Sequence, residues 1–429
     1  MTHGARRRLW VVTECYPRPS TPTHCIFAHR QLTGVQGAGW DVTVLIPNGW
    51  YPRLLWPVAH RWRSARAASV PSGFCPDGIA VQSLAYRNIV PNRFNRPREL
   101  SDLVTLSLDQ HLDRIARLPA TDVLLAQFAL PYGEAVRRSA SRRRIPYAVY
   151  LRGDDVWVWP HAWPNGLAAF RDVVGGASLV LSVSEALLRE ARRLAGDDLS
   201  RSVVVANGVD LAVFRPPSTQ ERLAVRAALG IKGDTPVIIC VAAALERKGW
   251  RELLSAVAQL DEPPVVLAVT TGQDELNLSA MAAGKSPAVR LLRYHDVPPE
   301  KLSGMYQAAD VFCLPSYGEG MSNAVLEALA SGLPVVTTPV GGHPEVIDSG
   351  IDGELIPMKD VEALSVALDG LLRNPTRREA MGRAARARAR AIGSPRENGG
   401  RVARLLDALV DRTPLTVSLL RSSYAMAGS

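Results

Sequence analysis

Apolar strand-like runs alternate with amphipathic helical stretches along almost the whole chain. Most of these runs are continuously apolar, which is typical of parallel strands buried on both faces. The runs are LWVVT (9–13), DVTVLIP (41–47), DVLLAQF (122–128), YAVYLR (147–152), SLVLSVS (178–184), SVVVANG (202–208), PVIICVAAA (236–244), PPVVLAVTT (263–271), AVRLLRY (288–294), VFCLP (311–315) and PVVTTP (334–339). Helical stretches such as SEALLREARRLAG (184–196) lie between them. The alternation predicts the α/β class, with parallel sheets covered by helices.

The chain has 429 residues, which favours two or three domains of about 150–200 residues each. VFRPPSTQER (213–222) is the best candidate for a linker. We predict an N-terminal Rossmann-like domain over residues 1–214 and a C-terminal Rossmann-like domain over residues 215–392. Both are doubly wound and face a central cleft, with sites at the carboxyl ends of their strands. Residues 393–429 are expected to form a helix and tail that return to the first domain.

Residues 48–98 break the alternation and are rich in tryptophan and arginine, Trp50, Trp56 and Trp62 among them. An irregular insertion of this length is too long for a simple connecting loop and indicates a function. Two interpretations remain open. The segment either contacts a membrane interface, which Trp, Tyr and Arg favour, or forms a lid that packs on its own domain.

Composition places the chain among ordinary globular proteins, with 47% hydrophobic and 21% charged residues. No apolar run approaches the ~20 residues of a membrane span. Five cysteines are scattered, odd in number and without a C-x-x-C motif. The cysteine pattern predicts free thiols in a reducing compartment.

The charge of the chain is uneven. Residues 1–215 hold 27 arginines, no lysine and 17 acidic residues, a net charge of +10, whereas the remainder carries −1. A basic first half favours an anionic partner. Nucleic acid is not the expected partner, because the arginines are dispersed and no nucleic-acid-binding motif is present.

The stretch SYGEGMSNAVLEALASGLPVV (316–336) predicts a strand–helix–strand unit. Ser322 or Asn323 can cap the helix, and Gly332 and Pro334 can end it. A helix N-terminus offers free N–H groups, which bind anions and phosphate above all.

Glu327 would lie about one and a half turns into this helix, where its negative charge does not suit a phosphate. A carboxylate there suits a neutral diol such as that of a ribose, which can donate two hydrogen bonds. The alternative is an ordinary solvated glutamate. Glu319 precedes the helix in a loop flanked by glycines.

The longer segment YGEGMSNAVLEALASGLPVVTTPVGGHPEVI (317–347) resembles the signature of family-four retaining glycosyltransferases, which have the GT-B fold. Other segments are similar to parts of the same family and occur in its order. They are GWDVTVLIP (39–47), YLRGDDV (150–156), VVVANGVDLAVFRP (203–216) and LERKGWRELLSAV (245–257). The resemblance therefore covers nearly the whole chain.

The resemblance implies a role for each matching residue. Glu327 would bind the ribose of a nucleotide-sugar, Glu319 the transferred sugar, and Lys248 the departing diphosphate. The implied catalytic residues are Glu319, Lys248, Arg152 and Asp155, and the implied donor-binding residues are Glu327, Gly320, Met321, Ser322, Asn323 and Arg247.

The chain departs from the family pattern at three places, one of which is the segment PSTPTHCIFAHRQ (19–31), which replaces the family's glycine-rich first loop. Ala243 stands where the family has a phosphate-binding arginine, for which Arg247 can compensate. Arg152 replaces the histidine of the family's H-G-x-D stretch, and a guanidinium cannot be a general base. Arg152 either holds an anionic group or pairs with Asp154 or Asp155. His343 is expected to be a loop residue and not a catalytic one.

The resemblance implies a metal-independent retaining transfer from a nucleotide-diphosphate-sugar, which is a substrate, so no cofactor is expected. We expect a glycan or lipid-linked anionic acceptor in bacterial surface polysaccharide synthesis. The expected location is the cytoplasm, with peripheral contact to the inner membrane through the N-terminal domain. The alternatives are a nucleotide-sugar epimerase or phosphorylase of the same fold, or an inactive donor-binding partner subunit.

Overall fold

The computed structural model describes residues 7–22, 24–50, 70–87, 97–114, 122–272, 275–286 and 288–416. The chain divides into two compact units. The first contains the described residues up to Asn207 together with those from Pro395 onward, and the second contains Gly208–Ser394. Each unit has its own parallel sheet.

Seven strands form the sheet of the first unit. They are β1 (Arg8–Val12), β2 (Asp41–Trp50), β3 (Ala80–Arg87), β4 (Val123–Gln127), β5 (Tyr147–Leu151), β6 (Leu179–Ser182) and β7 (Ser202–Val204). Their order in the sheet is β3-β2-β1-β4-β5-β6-β7, and all pairs are parallel. The helices of this unit are α1 (Ile26–Gly37), α2 (Pro97–Arg114), α3 (Gly133–Arg143), α4 (Asp154–Trp157), α5 (Trp159–Ala162), α6 (Gly166–Gly175), α7 (Glu185–Ala195) and the C-terminal α16 (Pro395–Val410).

Six strands form the sheet of the second unit. They are β8 (Val237–Val241), β9 (Val265–Thr270), β10 (Arg290–His295), β11 (Val311–Leu314), β12 (Val335–Thr337) and β13 (Gly353–Leu355). They lie in the order β10-β9-β8-β11-β12-β13 and are also parallel. The helices are α8 (Thr219–Ala228), α9 (Trp250–Ala258), α10 (Leu278–Lys285), α11 (Pro299–Ala308), α12 (Asn323–Ala330), α13 (His343–Val346), α14 (Val361–Leu372) and α15 (Pro375–Ile392).

The continuously apolar runs become central strands. Every residue of β4, β5, β8 and β9 is buried, as expected for strands covered on both faces. Helix α7 begins where its sequence predicts, because the Ser184 side chain accepts a hydrogen bond from the Leu187 N–H. The predicted doubly wound α/β architecture is confirmed in each unit.

The C-terminal helix α16 packs on α1 of the first unit, as the sequence predicts. Glycines on both helices bring the two backbones close together. A Cβ atom on Gly34 would lie 2.5 Å from the Arg396 carbonyl oxygen, and one on Gly399 would lie 2.1 Å from the Gln31 carbonyl oxygen. A side chain at either position would force the helices apart, so this contact depends on glycine.

Part of the predicted 48–98 insertion is regular structure. Strand β3 pairs with β2 along eight residues at the edge of the first sheet. Its sequence AVQSLAYR mixes buried residues (Val81, Leu84 and Tyr86) with exposed ones (Gln82, Ser83 and Ala85), because an edge strand is covered less completely than a central one. Trp56 and Trp62 lie outside the described residues, so the choice between a lid and a membrane contact stays a prediction.

The prediction of five free thiols is wrong. Cys15 and Cys25 form a disulfide, because a tight turn closed by hydrogen bonds between Arg18 and Thr21 brings the two ends of their loop together. Cys75, Cys240 and Cys313 are free. Among the described helices, none is both long enough and apolar enough to cross a lipid bilayer.

Candidate active site

The second sheet changes direction between β8 and β11. From β8 the following strands, β9 and β10, are added on one side, and from β11 the following strands, β12 and β13, are added on the other side. In open parallel sheets, ligands bind at the carboxyl ends of the strands beside such a switch point. Lys248 follows β8 in a short 3-10 turn, Glu246–Lys248, and Glu319 follows β11. The two strands thus bring together side chains that are 71 positions apart in the sequence.

Backbone contacts fix the two loops against each other. The carbonyl oxygen of Arg247 accepts from the Tyr317 N–H at 2.8 Å and from the Ser316 hydroxyl at 3.0 Å. Gly249 has φ 73°, and a Cβ atom there would lie 2.0 Å from the Pro315 carbonyl oxygen. Only glycine allows this approach, so the position of Lys248 depends on its neighbour.

Lys248 and Glu319 form a partly buried ion pair. The Nζ atom lies 2.6 Å from Oε1, and the two side chains are 13% and 10% exposed. Burial alone would raise the pKa of Glu319, but the attraction of Lys248 outweighs it and the pKa is lowered. Glu319 is therefore an ionised carboxylate at neutral pH, held beside a cation.

Helix α12 starts beside this pair. Ser322 occupies the N-cap position, but its side chain makes no capping hydrogen bond. Of the two predicted capping residues, Ser322 and Asn323, Ser322 takes the N-cap position, without a side-chain hydrogen bond. Gly320 and Met321 lie just before the helix and are buried, and Asn323 is its first residue and half-buried.

Glu327 lies on the same helix and is half-buried. Its Oε2 atom accepts a hydrogen bond from the Tyr306 hydroxyl at 3.0 Å. Burial and the nearby Glu327 charge raise the pKa of Tyr306, so this hydroxyl stays a donor. Glu327 is thus a partly exposed carboxylate oriented by a side-chain hydrogen bond, and its role in binding a ribose stays a prediction.

The loop before α13 closes on the Glu319 loop. Gly342 donates its N–H to the Gly320 carbonyl oxygen at 2.9 Å. Gly341 has φ 52°, and a Cβ atom there would lie 1.8 Å from the Glu319 carbonyl oxygen. His343 follows directly and is fully buried. The sequence predicts His343 only as a loop residue. Its proximity to Glu319 results from the packing of two loops that are separate in the sequence.

Arg247 lies at the rim of the same site. Its Nη1 atom donates to the Gly318 carbonyl oxygen at 3.3 Å. Its charge also helps to lower the pKa of Glu319, after the larger effect of Lys248. The Ala243 carbonyl oxygen accepts from the Trp250 indole N–H at 2.9 Å, which anchors the start of the Lys248 loop.

Arg152 belongs to the first unit and is buried there. Its guanidinium donates to the side-chain oxygens of Gln127, Gln31 and Asn207. The ring centroid of Tyr150 lies 3.5 Å from its Cζ atom. Burial lowers the pKa of Arg152 to about 10, so it remains a cation.

Asp155 does not supply a hydrogen-bonding partner for that cation. Its carboxylate accepts from the backbone N–H groups of Ala129, Arg152 and Gly153, at 2.8, 3.0 and 2.8 Å. These bonds fasten the segments that follow β4 and β5 to each other. The predicted alternative of a direct Arg152–Asp155 ion pair is therefore wrong, and a catalytic role for either residue stays a prediction.

One group of potential metal ligands lies in the described part of the first unit. Ligand atoms of Cys15, His24 and Cys25 lie within 4.8 Å of one another. The two sulfur atoms are joined in the disulfide and therefore provide no thiolates. In the second unit, the arrangement instead combines a buried cation, an oriented carboxylate and the N-terminus of a helix.

Comparison with known proteins assigns both units to one kind of enzyme. Residues 221–388 match the family described as glycosyl transferases group 1, and residues 26–213 match glycosyltransferase family 4. The chain is 32% identical over 364 residues to Bacillus subtilis TuaC, whose name places it in teichuronic acid biosynthesis as a glycosyltransferase. That match covers 84% of this chain and 87% of TuaC.

Solved structures share the fold. A sucrose-phosphate synthase from Thermosynechococcus elongatus has a TM-score of 0.77 at 17% identity, covering 95% of this chain and 100% of that one. Anabaena HepE in complex with UDP-glucose has a TM-score of 0.68 at 16% identity, covering 94% and 99%. At these identities the likeness establishes the architecture alone.

Proposed function

The chain belongs to glycosyltransferase family 4 and has the GT-B fold, and on that premise we propose which transfer it catalyses. The donor is a nucleotide-diphosphate-sugar, and the acceptor is a glycan or a lipid-linked glycan. The transfer retains the configuration at the anomeric carbon and needs no metal ion.

The arrangement of Lys248, Glu319 and helix α12 is the observation that carries this proposal. Lys248 Nζ lies 2.6 Å from Glu319 at the carboxyl ends of β8 and β11, beside the N-terminus of helix α12, whose N-cap residue Ser322 makes no side-chain capping hydrogen bond. A helix N-terminus and a lysine together suit a diphosphate. Glu327 lies further along the same helix, in place to accept hydrogen bonds from a ribose.

The chemistry follows from the charge that develops during transfer. The departing nucleoside diphosphate gains negative charge, which the Lys248 ammonium and the α12 N–H groups stabilise. Loss of one such preorganised group typically costs ~2.7–4 kcal/mol of transition-state stabilisation. The developing positive charge on the sugar lies beside ionised Glu319. The acceptor hydroxyl oxygen forms its bond to the anomeric carbon on the face where the bond to the diphosphate breaks, and the leaving phosphate oxygen takes the hydroxyl proton. Attack on this same face retains the configuration.

The acceptor is an anionic glycan of the bacterial cell surface. Support comes from the name of the TuaC relative and from the basic first half, with its net charge of +10 over residues 1–215. The enzyme works at the cytoplasmic face of the membrane and binds it peripherally. Fractionation of the producing cells tests this location, because the Cys15–Cys25 disulfide is a bond more typical of oxidising compartments.

Thermal unfolding with a panel of nucleotides tests the donor. UDP, GDP, ADP and dTDP, each with and without a sugar, are added at about 100 times the dissociation constant, where binding contributes ~2.7 kcal/mol of stability. We expect one base to stabilise the protein. Glu327→Gln should lose most of that stabilisation, whereas Glu319→Gln should keep nucleotide binding and lose turnover. The turnover of the wild-type protein should be the same in EDTA as in buffer.

Two results would contradict the proposal. One is stabilisation by none of the nucleotides. The other is identical behaviour of the two glutamate variants, which would remove the division of roles between ribose and sugar. Donor consumption without an acceptor, with release of an epimerised nucleotide-sugar, would identify an epimerase instead.

A further inference from the structure

His343 has a defined tautomer. Its Nδ1 atom lies 3.0 Å from the Thr337 hydroxyl oxygen and 3.1 Å from the Thr338 carbonyl oxygen. The carbonyl can only accept, and the Thr337 hydroxyl already donates its hydrogen to the Leu314 carbonyl oxygen at 2.6 Å. Both contacts therefore require a hydrogen on Nδ1. In the neutral ring, the lone pair is then on Nε2.

This lone pair has no partner in the described part of the protein. The Nε2 atom is buried and makes no hydrogen bond there, and the residue as a whole is 0% exposed. A buried polar atom without a partner typically costs about 1–3 kcal/mol. Burial lowers the pKa of His343 more than the nearby Glu319 charge raises it, so the ring is a neutral acceptor. The unpaired Nε2 atom makes the folded protein less stable, so folding alone does not explain its presence.

His343 lies within the site of Lys248 and Glu319. The close approach of Gly341 and the hydrogen bond of Gly342 hold its loop against residues Glu319 and Gly320. Its ring is near enough to both members of the ion pair for each to shift its pKa. The unpartnered acceptor therefore belongs to a residue packed beside the groups that would bind the donor.

We propose that His343 Nε2 accepts a hydrogen bond from a hydroxyl group of the transferred sugar and so helps to select the donor. This inference rests on the proposed function. A phosphate oxygen is a negatively charged acceptor and cannot bond to a bare lone pair, whereas a sugar hydroxyl is an uncharged donor. Lys248 and the α12 N–H groups then bind the diphosphate, and His343 recognises a hydroxyl group of the sugar.

The proposal is tested by calorimetric titration with UDP, UDP-glucose and the 2-, 3-, 4- and 6-deoxy analogues of UDP-glucose. If the wild type binds only guanine nucleotides, GDP, GDP-mannose and its deoxy analogues replace them. On the wild-type protein, one deoxy analogue should bind about tenfold more weakly than the parent, the loss of one hydrogen bond of about 1.4 kcal/mol.

His343→Phe keeps a ring without the acceptor. We expect it to bind the full nucleotide-sugar about tenfold more weakly, and to bind the nucleoside diphosphate within twofold of the wild type. On this variant, the deoxy analogue identified above should bind as well as its parent. His343→Gln, which can offer an amide oxygen near the Nε2 position, should recover part of the lost affinity.

The outcomes are distinct. If the wild type binds no nucleotide, the proposed function fails. If it binds the nucleotide-sugar but no deoxy analogue loses affinity, the inference about His343 fails while the function stands, and this readout needs no variant to fold. An equal loss of nucleoside diphosphate and nucleotide-sugar in His343→Phe would also overturn the inference, because it would indicate a structural role.

Discussion

Replacing Lys248 with methionine removes the charge beside Glu319 and keeps most of the side chain. At an effective dielectric constant of about 20, two unit charges 2.6 Å apart attract each other by about 6 kcal/mol. Burial of both groups offsets most of this attraction. Loss of one partner leaves the other charge buried alone, which typically costs about 3–5 kcal/mol. We expect Lys248→Met to lose about 3 kcal/mol, the lower end, because Glu319 can take up a proton.

A double-mutant cycle isolates the pair. Glu319→Gln should also destabilise the protein, because it leaves Lys248 buried without a counter-ion. The double variant Lys248→Met, Glu319→Gln removes both charges at once. We expect the double variant to lose less stability than the two single variants lose together, by about 0.5–3 kcal/mol, the range for residues in contact.

Scanning calorimetry measures the cycle. A unit of 150–250 residues loses about 2–4 °C of melting temperature per kcal/mol, so Lys248→Met should melt about 6–12 °C lower in the second unit. Proper folding of each variant is checked by circular dichroism. Additivity of the three variants within about 0.5 kcal/mol would refute the reasoning, since it would mean that the two charges do not interact.

Three further outcomes are expected. In chemical denaturation, Gly249→Ala should lose more than ~2 kcal/mol more unfolding free energy than Gly350→Ala loses. Both glycines have positive φ, but only at Gly249 would a Cβ atom meet backbone, the Pro315 carbonyl oxygen. Equal losses in the two variants would rule out the close approach. The pKa of His343 is lowered from 6.5 in the folded protein, so below pH 6.5 the unfolded chain binds a proton that the folded chain does not. The stability of the protein should therefore fall with falling pH, by up to ~1.4 kcal/mol per pH unit, down to the folded pKa. A His343→Phe variant with the same slope of stability against pH would contradict this. Unfolded without reductant, the protein should titrate three thiols with Ellman's reagent and five after reduction, whereas five in both states would disprove the Cys15–Cys25 disulfide.

The fold is largely predictable from the sequence because its central strands are continuous apolar runs, such as PVIICVAAA and PPVVLAVTT, with clear helical periodicity between them. Strand β3 is missed because an edge strand has one poorly covered side and therefore mixes polar and apolar residues. Strand β13 is missed because its residues, Gly353–Leu355, include a glycine and a glutamate and form no apolar run.

The site is predictable only in part. Glu319 and Glu327 can be found because a short stretch of sequence places both around one helix start. The pairing of Lys248 with Glu319 depends on β8 and β11 being neighbours, which is a property of strand order. The tautomer of His343 depends on hydrogen bonds from the end of β12 and on a hydroxyl that is already engaged, and no spacing in the sequence encodes these.

A crystal structure with the nucleotide-sugar identified by the thermal-shift panel tests the central claim most directly. The account predicts the diphosphate within hydrogen-bonding distance of Lys248 Nζ and of the backbone N–H groups at the start of α12, with the ribose hydroxyls on Glu327. A diphosphate bound away from the carboxyl ends of β8 and β11, or a ribose that does not contact Glu327, would contradict it.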